Sequence, residues 1–166
     1  MIARYLVLAT HIRHELRGLK GFIDSSTRAM NCIDANPIDR NLYLTAIALY
    51  LHNFYNNVEH VFEMIAAEVD GNVPSGRAWH RDLLTQMTLV LPEIRPAVLT
   101  SETTQALDEY LRFRHVVRNV YAFQFEMERL APLVEQLPAT YERLSGEIEV
   151  FVHFLLSMSH ADEAGR

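Results

Sequence analysis

Apolar residues in this chain recur every three or four positions, and this spacing limits the fold more than any other feature. The clearest stripe lies in segment 47–65, where six apolar residues are separated by four, three, four, three and four positions. Such a stripe covers one side of an α-helix, whereas a half-buried strand would alternate apolar and polar residues. No segment alternates in that way. The stripe consists of Ile47, Leu51, Phe54, Val58, Val61 and Ile65.

Prolines, glycines and capping residues divide the chain into further helices. A stripe that starts at Ile2 and ends at Ile33 predicts a long first helix. The later boundaries are a stop at Asn36–Pro37, an end near Asp70–Gly71, a short helix from about Ala78 to Leu91, an N-cap at Thr100 or Ser101, and a last helix that begins near Glu126 or after Pro138. We therefore expect an all-α fold: an antiparallel helical bundle of four to five helices, in one domain over residues 1–166.

Composition narrows the class of function. The net charge of −6 argues against binding nucleic acid through the whole surface, although a local basic site is compatible with it. The single cysteine, Cys32, suggests a reducing cytoplasm and is expected to be an inert thiol. Arg4 interrupts the apolar start, so the chain does not begin like a signal peptide. No apolar stretch approaches the ~20 residues that cross a bilayer. We expect a cytoplasmic protein with no membrane partner.

One segment is chemically unusual. Residues 111–125 read LRFRHVVRNVYAFQF, with three arginines, one histidine and no acidic residue. On a helix, the apolar residues fall on one side, which is expected to face the core: Phe113, Val116, Val117 and Val120. The polar residues fall on the other side: Arg112, Arg114, His115, Arg118, Asn119 and Tyr121.

This polar side predicts a site for phosphate. A planar guanidinium group donates two parallel hydrogen bonds to one phosphate, which makes arginine the side chain best suited to that ligand. The alternative is a solvated basic face that only keeps the bundle soluble. The absence of acidic residues weakens this alternative, because solvated faces usually mix charges of both signs.

The same residues carry a family resemblance. The run Arg114-His115-Val-Val-Arg118-Asn119-Val-Tyr121 resembles the motif of HEPN-domain proteins, and most of all the HepT-like branch. There the pattern is an arginine, four residues, a histidine, any residue and a tyrosine. Arg114 matches the arginine, His115 the polar position after it and Tyr121 the tyrosine, while Asn119 falls on the histidine. The helical layout and segment 51–84 are also similar to HepT-like proteins.

The resemblance implies a metal-independent endoribonuclease that acts as the toxin of a bacterial toxin–antitoxin pair, with RNA as substrate and no cofactor. Arg114 would stabilise charge on the phosphate, and Arg112 and Arg118 would bind the RNA backbone. Two copies would form a homodimer in which both motifs share one cleft. The partner would be an MntA-like nucleotidyltransferase antitoxin, which would transfer AMP to Tyr121.

Asn119 opens an alternative. An amide does not accept and return a proton near neutral pH, so Asn119 could bind the phosphate but could not act as a general base. His115, one turn away, is the residue that could substitute. Otherwise the chain is a catalytically silent HEPN module that binds RNA or the nucleotidyltransferase without cleaving.

A metal-binding bundle is the third possibility. Several candidate ligands lie on the first two helices: His11, His14, Glu15, His52, Glu59, His60 and Glu63. The paired Glu-x-x-His spacing of di-iron bundles is missing, so we expect no metal. Four aromatic residues are expected to be packing residues: Phe54, Tyr55, Phe62 and Trp79.

Overall fold

The computed structural model describes residues 2–119 and 125–164, with side chains for 3–118 and 125–159. Within these ranges five α-helices form the fold and no strand is present, which confirms the all-α prediction. They are α1 (Ile2–Ile33), α2 (Arg40–Ile65), α3 (Trp79–Gln86), α4 (Ser101–Asn119) and α5 (Met127–Ala164). In the part of the chain described, no helix combines the length and apolar character that a membrane crossing needs.

The long helices run antiparallel to their neighbours. In each packed pair, contacts made later in one helix fall on residues nearer the start of the other. The start of α1 meets the turn after α2 through Arg4–Glu68 at 2.6 Å. Helix α1 meets α5 through Arg13–Glu149 at 3.1 Å and then Leu16–Tyr141 at 3.3 Å. Helix α4 meets α5 through Thr103–Glu147 at 2.7 Å and then Tyr110–Leu133 at 2.8 Å. Since α2 and α5 both oppose α1, and α4 opposes α5, α4 also runs antiparallel to α2.

Helix α2 forms the centre of the core. All six residues of the predicted stripe, from Ile47 to Ile65, are fully buried, so this prediction is confirmed. Phe54, Tyr55 and Phe62 are also completely buried, as expected for packing residues. The Phe54 ring lies 5.4 Å from the ring of Tyr110 and so packs α2 against α4. Each such side chain contributes about 1.5–3 kcal/mol through burial.

The end of α2 is set by one glycine. After Ile65 the chain makes a π-helical turn, Ala66–Asp70, and then reaches Gly71 with φ 68°. This left-handed conformation favours glycine, and it lets the Gly71 N–H donate to the Ala66 carbonyl. The predicted end near Asp70–Gly71 is confirmed.

Helix α3 is shorter than predicted. It ends at Gln86, so the expected end at Leu91 is wrong. The cause is Arg95, whose guanidinium is fully buried and binds both carboxylate oxygens of Asp70, at 2.5 and 2.8 Å. The same group donates to the carbonyls of Gln86 and Leu89, at 3.1 and 2.9 Å. Arg95 thus satisfies, from a neighbouring loop, carbonyl groups that an extended helix would have paired internally.

Helix α5 begins at Met127, close to the predicted start at Glu126, and the alternative start after Pro138 is wrong. It continues through Pro132 and Pro138 although each proline removes one helical hydrogen bond. Three residues of this first part are buried in the core, and their burial offsets that loss: Leu130, Val134 and Leu137.

Candidate active site around Arg114

Arg114 lies near the end of α4, where that helix meets α2 and α3. Its side chain is only 11 % exposed. Its Nε donates a hydrogen bond to Oδ1 of Asn56 on α2 at 2.8 Å, and its Nη1 lies 3.2 Å from Nε2 of His80 on α3. Two neighbouring helices therefore fix the orientation of a single guanidinium group.

A buried histidine–carboxylate pair supports this arginine. Nδ1 of His80 lies 2.7 Å from Oε2 of Glu59, and both side chains are less than a tenth exposed. Arginine has no acceptor atom, so His80 Nε2 must accept from Arg114, and the ring proton must sit on Nδ1 and be donated to Glu59. The other oxygen of Glu59 lies 3.9 Å from Arg114 Nη2. The hydrogen bonds thus assign a neutral His80 between one cation and one anion.

Trp79 helps to hold His80 in place. The two ring centroids lie 3.7 Å apart, and the planes are inclined by 33°. Trp79 is partly buried against the core, so the prediction of a packing role is confirmed. His80 is the second residue of α3, and Leu83 and Leu84, which follow on that helix, are buried. The apolar face of α3 therefore positions the imidazole over α2.

His115 and Arg118 lie on the exposed side of α4 next to Arg114. The His115 ring is 6.1 Å from the His80 ring and nearly perpendicular to it. Partial burial, together with the positive charges of Arg114, Arg118 and Arg81, holds the pKa of His115 below its ordinary value. This shift makes the protonated form of His115 a stronger proton donor.

His52 lies on α2, one turn before Asn56. Its Nδ1 is buried and has no hydrogen-bond partner among the described residues. Burial, followed by the positive charges of Arg114 and Arg118, holds the pKa of His52 below the ordinary histidine value. A second neutral imidazole therefore lies within the electrostatic reach of both arginines.

Arg112 contacts carboxylates on its own helix, not the residues that surround Arg114. Its Nε lies 2.8 Å from Asp108 Oδ2, and its Nη1 lies 3.9 Å from Glu109. The polar side of α4 thus lacks acidic residues only within segment 111–125. In three dimensions Arg112 faces carboxylates one turn earlier on its own helix, and Arg114 faces Glu59 from α2.

Some of the remaining predicted positions lie on the last part of α4, and the others follow that helix in the sequence. Phe113 is buried and Val117 packs against the core, as their side of the helix was expected to do. Asn119 is the last residue of α4, and its side chain is outside the described set. Val120 and Tyr121 lie outside the described residues.

Sequence reasoning missed three residues of the site. The sequence analysis assigns no role to Asn56 or His80, and it treats Glu59 only as a candidate metal ligand. The contact between Glu59 and His80 spans 21 positions, and that between His80 and Arg114 spans 34. The one available signal was segment 51–84, which carries the family resemblance and contains all three residues.

The metal possibility receives no geometric support. Among the described residues, no group of three or more histidine, cysteine, aspartate or glutamate side chains is arranged to hold a metal ion. Glu59, one of the candidates, instead accepts from His80 and lies beside Arg114.

The fold and the site define an all-α bundle that holds one arginine rigidly beside exposed basic and imidazole groups, an arrangement suited to an anionic ligand. A sequence model of one protein family, described as HepT-like protein, matches residues 46–155, which is more than half of the chain and includes every residue of the site named above. The chain belongs to the HepT-like family of HEPN proteins. No curated protein and no solved structure matches it.

Proposed function

We propose that this chain is the toxin of a bacterial toxin–antitoxin pair, a metal-independent endoribonuclease that acts in the cytoplasm. The observation that carries the proposal is the fixed guanidinium of Arg114, bound by Asn56 at 2.8 Å and by His80 at 3.2 Å, next to the exposed His115 and Arg118. A group that is already oriented stabilises charge developing on a phosphate without reorganising during the reaction.

The reaction is an attack of a ribose 2′-oxygen on the adjacent phosphorus. The bond from the 2′-oxygen to phosphorus forms, the bond from phosphorus to the 5′-oxygen breaks, and the product carries a 2′,3′-cyclic phosphate. Arg114 stabilises the negative charge that builds up on the phosphate oxygens, and Arg118 binds the backbone nearby. His115 moves a proton in the reaction, a role typically worth 10²–10⁴-fold in rate.

Arg112 belongs to this proposal only as an outer contact. Its guanidinium is already paired with Asp108 at 2.8 Å, so an RNA phosphate would have to compete with that carboxylate. We therefore assign the main backbone contact to Arg118.

The proposed regulation is a covalent modification of Tyr121. An MntA-like nucleotidyltransferase antitoxin transfers AMP to Tyr121, three positions after Arg118. The added phosphate would neutralise part of the positive charge of Arg114 and Arg118, and its bulk would block RNA from the site. In the active form two copies of the chain form a homodimer, with both copies of Arg114 in one cleft.

One observation favours a second candidate. Asn119 occupies the position of the family's histidine, which suits a silent HEPN module that binds RNA or the nucleotidyltransferase without cleaving. Restoring the histidine with Asn119→His separates the two: an inert wild type with a cleaving variant identifies a degenerate nuclease.

The experiment compares total bacterial RNA incubated with the purified wild-type chain, Arg114→Ala and Arg129→Ala, with a chelator present. Arg129 is an exposed arginine on α5, a helix that supplies none of the site residues described above, and serves as the matched control. We expect cleavage by the wild type and by Arg129→Ala, and a loss of about 10²–10³-fold in Arg114→Ala. Equal cleavage by the two variants would refute the proposal. Induction in a bacterial host, with and without the antitoxin gene, tests the toxin role.

A further inference from the structure

We propose that His52 is a further catalytic residue, the general base that takes the place of the motif histidine absent at position 119. This inference rests on the proposed nuclease function. It places the proton-transfer group on α2, opposite the helix that carries the motif.

The first argument is the register between two antiparallel helices. Asn56 on α2 binds Arg114 on α4 directly, at 2.8 Å. One turn back along α2 is His52, and one turn forward along α4 is Arg118. Because the helices run in opposite directions, these two steps lead the same way along the bundle. The charge of Arg118 acts on the His52 imidazole, as this register requires. Position 119, next to Arg118, therefore lies at the level of His52.

The second argument is the state of the three imidazoles around Arg114. His80 uses both ring nitrogens, Nδ1 on Glu59 and Nε2 on Arg114, so it has no lone pair for a substrate. His115 is exposed at the rim of the site. His52 alone among these three has a buried ring nitrogen that lacks a hydrogen-bond partner in the described part of the chain.

A buried nitrogen without a partner requires an explanation, since most buried polar atoms are hydrogen-bonded. His52 as a whole is only partly buried, so a rotation of its ring brings this nitrogen to the surface, where the 2′-hydroxyl of bound RNA becomes its partner. The charges of Arg114 and Arg118, together with burial, keep the pKa of His52 low, so the ring is neutral at neutral pH. A neutral imidazole is the form that accepts a proton.

In the proposed step each proton has a donor and an acceptor. His52 accepts the proton of the 2′-hydroxyl as the 2′-oxygen forms its bond to phosphorus. The 5′-oxygen leaves with the electron pair of the broken bond and takes a proton from protonated His115. His52 then releases its proton to solvent, and His115 regains one, which restores both residues.

The test measures RNA cleavage by the wild-type chain, His52→Gln, His60→Gln, Asn119→His and the double variant His52→Gln with Asn119→His. His60 is the matched control, an exposed histidine on the same helix. We expect His52→Gln to lower the rate at least ~100-fold, the expected loss for a general base, and His60→Gln to leave it unchanged. Adding Asn119→His to His52→Gln should recover at least tenfold of the loss. A purely structural role for His52 would not be rescued from position 119.

The outcomes separate the two proposals. A wild type that cleaves as fast as His52→Gln would overturn the role of His52 and leave the nuclease function standing. An inert wild type with a cleaving Asn119→His variant would also overturn it. If neither the wild type nor Asn119→His cleaves RNA, the nuclease function is refuted, and this inference is refuted with it.

A second measurement does not depend on the folding of any variant. A ribonucleoside 3′-monophosphate keeps the 2′-hydroxyl and the phosphate but has no 5′-linked leaving group, so it binds without being cleaved. Titrated into the labelled wild type, it should shift the imidazole signal of His52 in the NMR spectrum and leave that of His60 in place. Saturating binding without a change at His52 would overturn the inference.

Discussion

The sharpest structural prediction concerns His80, which links Arg114 to Glu59. The change is His80→Ala. It removes the acceptor of Arg114 Nη1 at 3.2 Å and the donor to Glu59 at 2.7 Å, in a position where both charged neighbours are nearly excluded from solvent. Hydrogen bonds to charged groups are worth about 1.5–3 kcal/mol each. Because Glu59 and Arg114 still attract each other across 3.9 Å, we expect a loss of about 3 kcal/mol in the free energy of unfolding rather than the full sum.

A conservative variant makes this prediction specific. In His80→Gln the amide oxygen can accept from Arg114 while the amide nitrogen donates to Glu59, as the neutral imidazole does. We expect this variant to lose only about 1 kcal/mol. Urea unfolding of the wild type, both His80 variants and the exposed control His60→Ala gives the four values. Exposed substitutions typically stay within about 0.5 kcal/mol of the wild type.

Two results would refute the reasoning. If His80→Ala is as stable as His60→Ala, the buried pair contributes nothing to the fold. If His80→Gln is no more stable than His80→Ala, the hydrogen bonds are not the cause of the loss. In the nuclease assay His80→Gln should also remain closer to the wild type than His80→Ala, because only the former keeps Arg114 oriented.

Three further predictions follow from single contacts. Arg95→Met should lower the free energy of unfolding by about 3–5 kcal/mol, because it leaves the buried carboxylate of Asp70 uncompensated; urea unfolding measures this, and a loss below about 1 kcal/mol would contradict it. The pKa of His52 is lower in the folded chain than in the unfolded chain, so between these two pKa values the unfolded chain binds more protons. The free energy of unfolding therefore falls as the pH is lowered through this range. The fall should be smaller in His52→Gln, and identical pH profiles of the two proteins would contradict this. Arg118→Ala should weaken RNA binding at low salt more than Arg112→Ala, because Arg112 is paired with carboxylates; equal effects in a filter-binding titration would contradict the assignment.

Much of the fold was predictable because it depends on local periodicity. The stripe from Ile47 to Ile65 identifies the most buried helix, since a repeat of three and four positions can face only one direction on a helix. The end at Gly71 was equally accessible, because left-handed backbone favours glycine. The end of α3 was not, because it depends on Arg95, which reaches the Gln86 carbonyl from a loop nine positions away.

The residues of the site also fall into a group that could be predicted from the sequence and a group that could not. Arg114, His115 and Arg118 could be selected because they lie on one helix and share a charge pattern. Asn56, Glu59 and His80 could not, because their relation to Arg114 arises only when α2, α3 and α4 pack together. Charge patterns within one segment also omit acids from elsewhere, which is why the pairing of Arg112 with Asp108 was not expected.

The central claim is that Arg114 and its neighbouring imidazoles form an RNA-cleaving site that needs no metal. The most direct measurement is the chemistry of the ends produced when the purified chain is incubated with RNA in the presence of a chelator. The account predicts fragments with 2′,3′-cyclic phosphate ends from the wild type, and none from Arg114→Ala. RNA left intact by both the wild type and Asn119→His, or fragments with the same ends from Arg114→Ala, would contradict it.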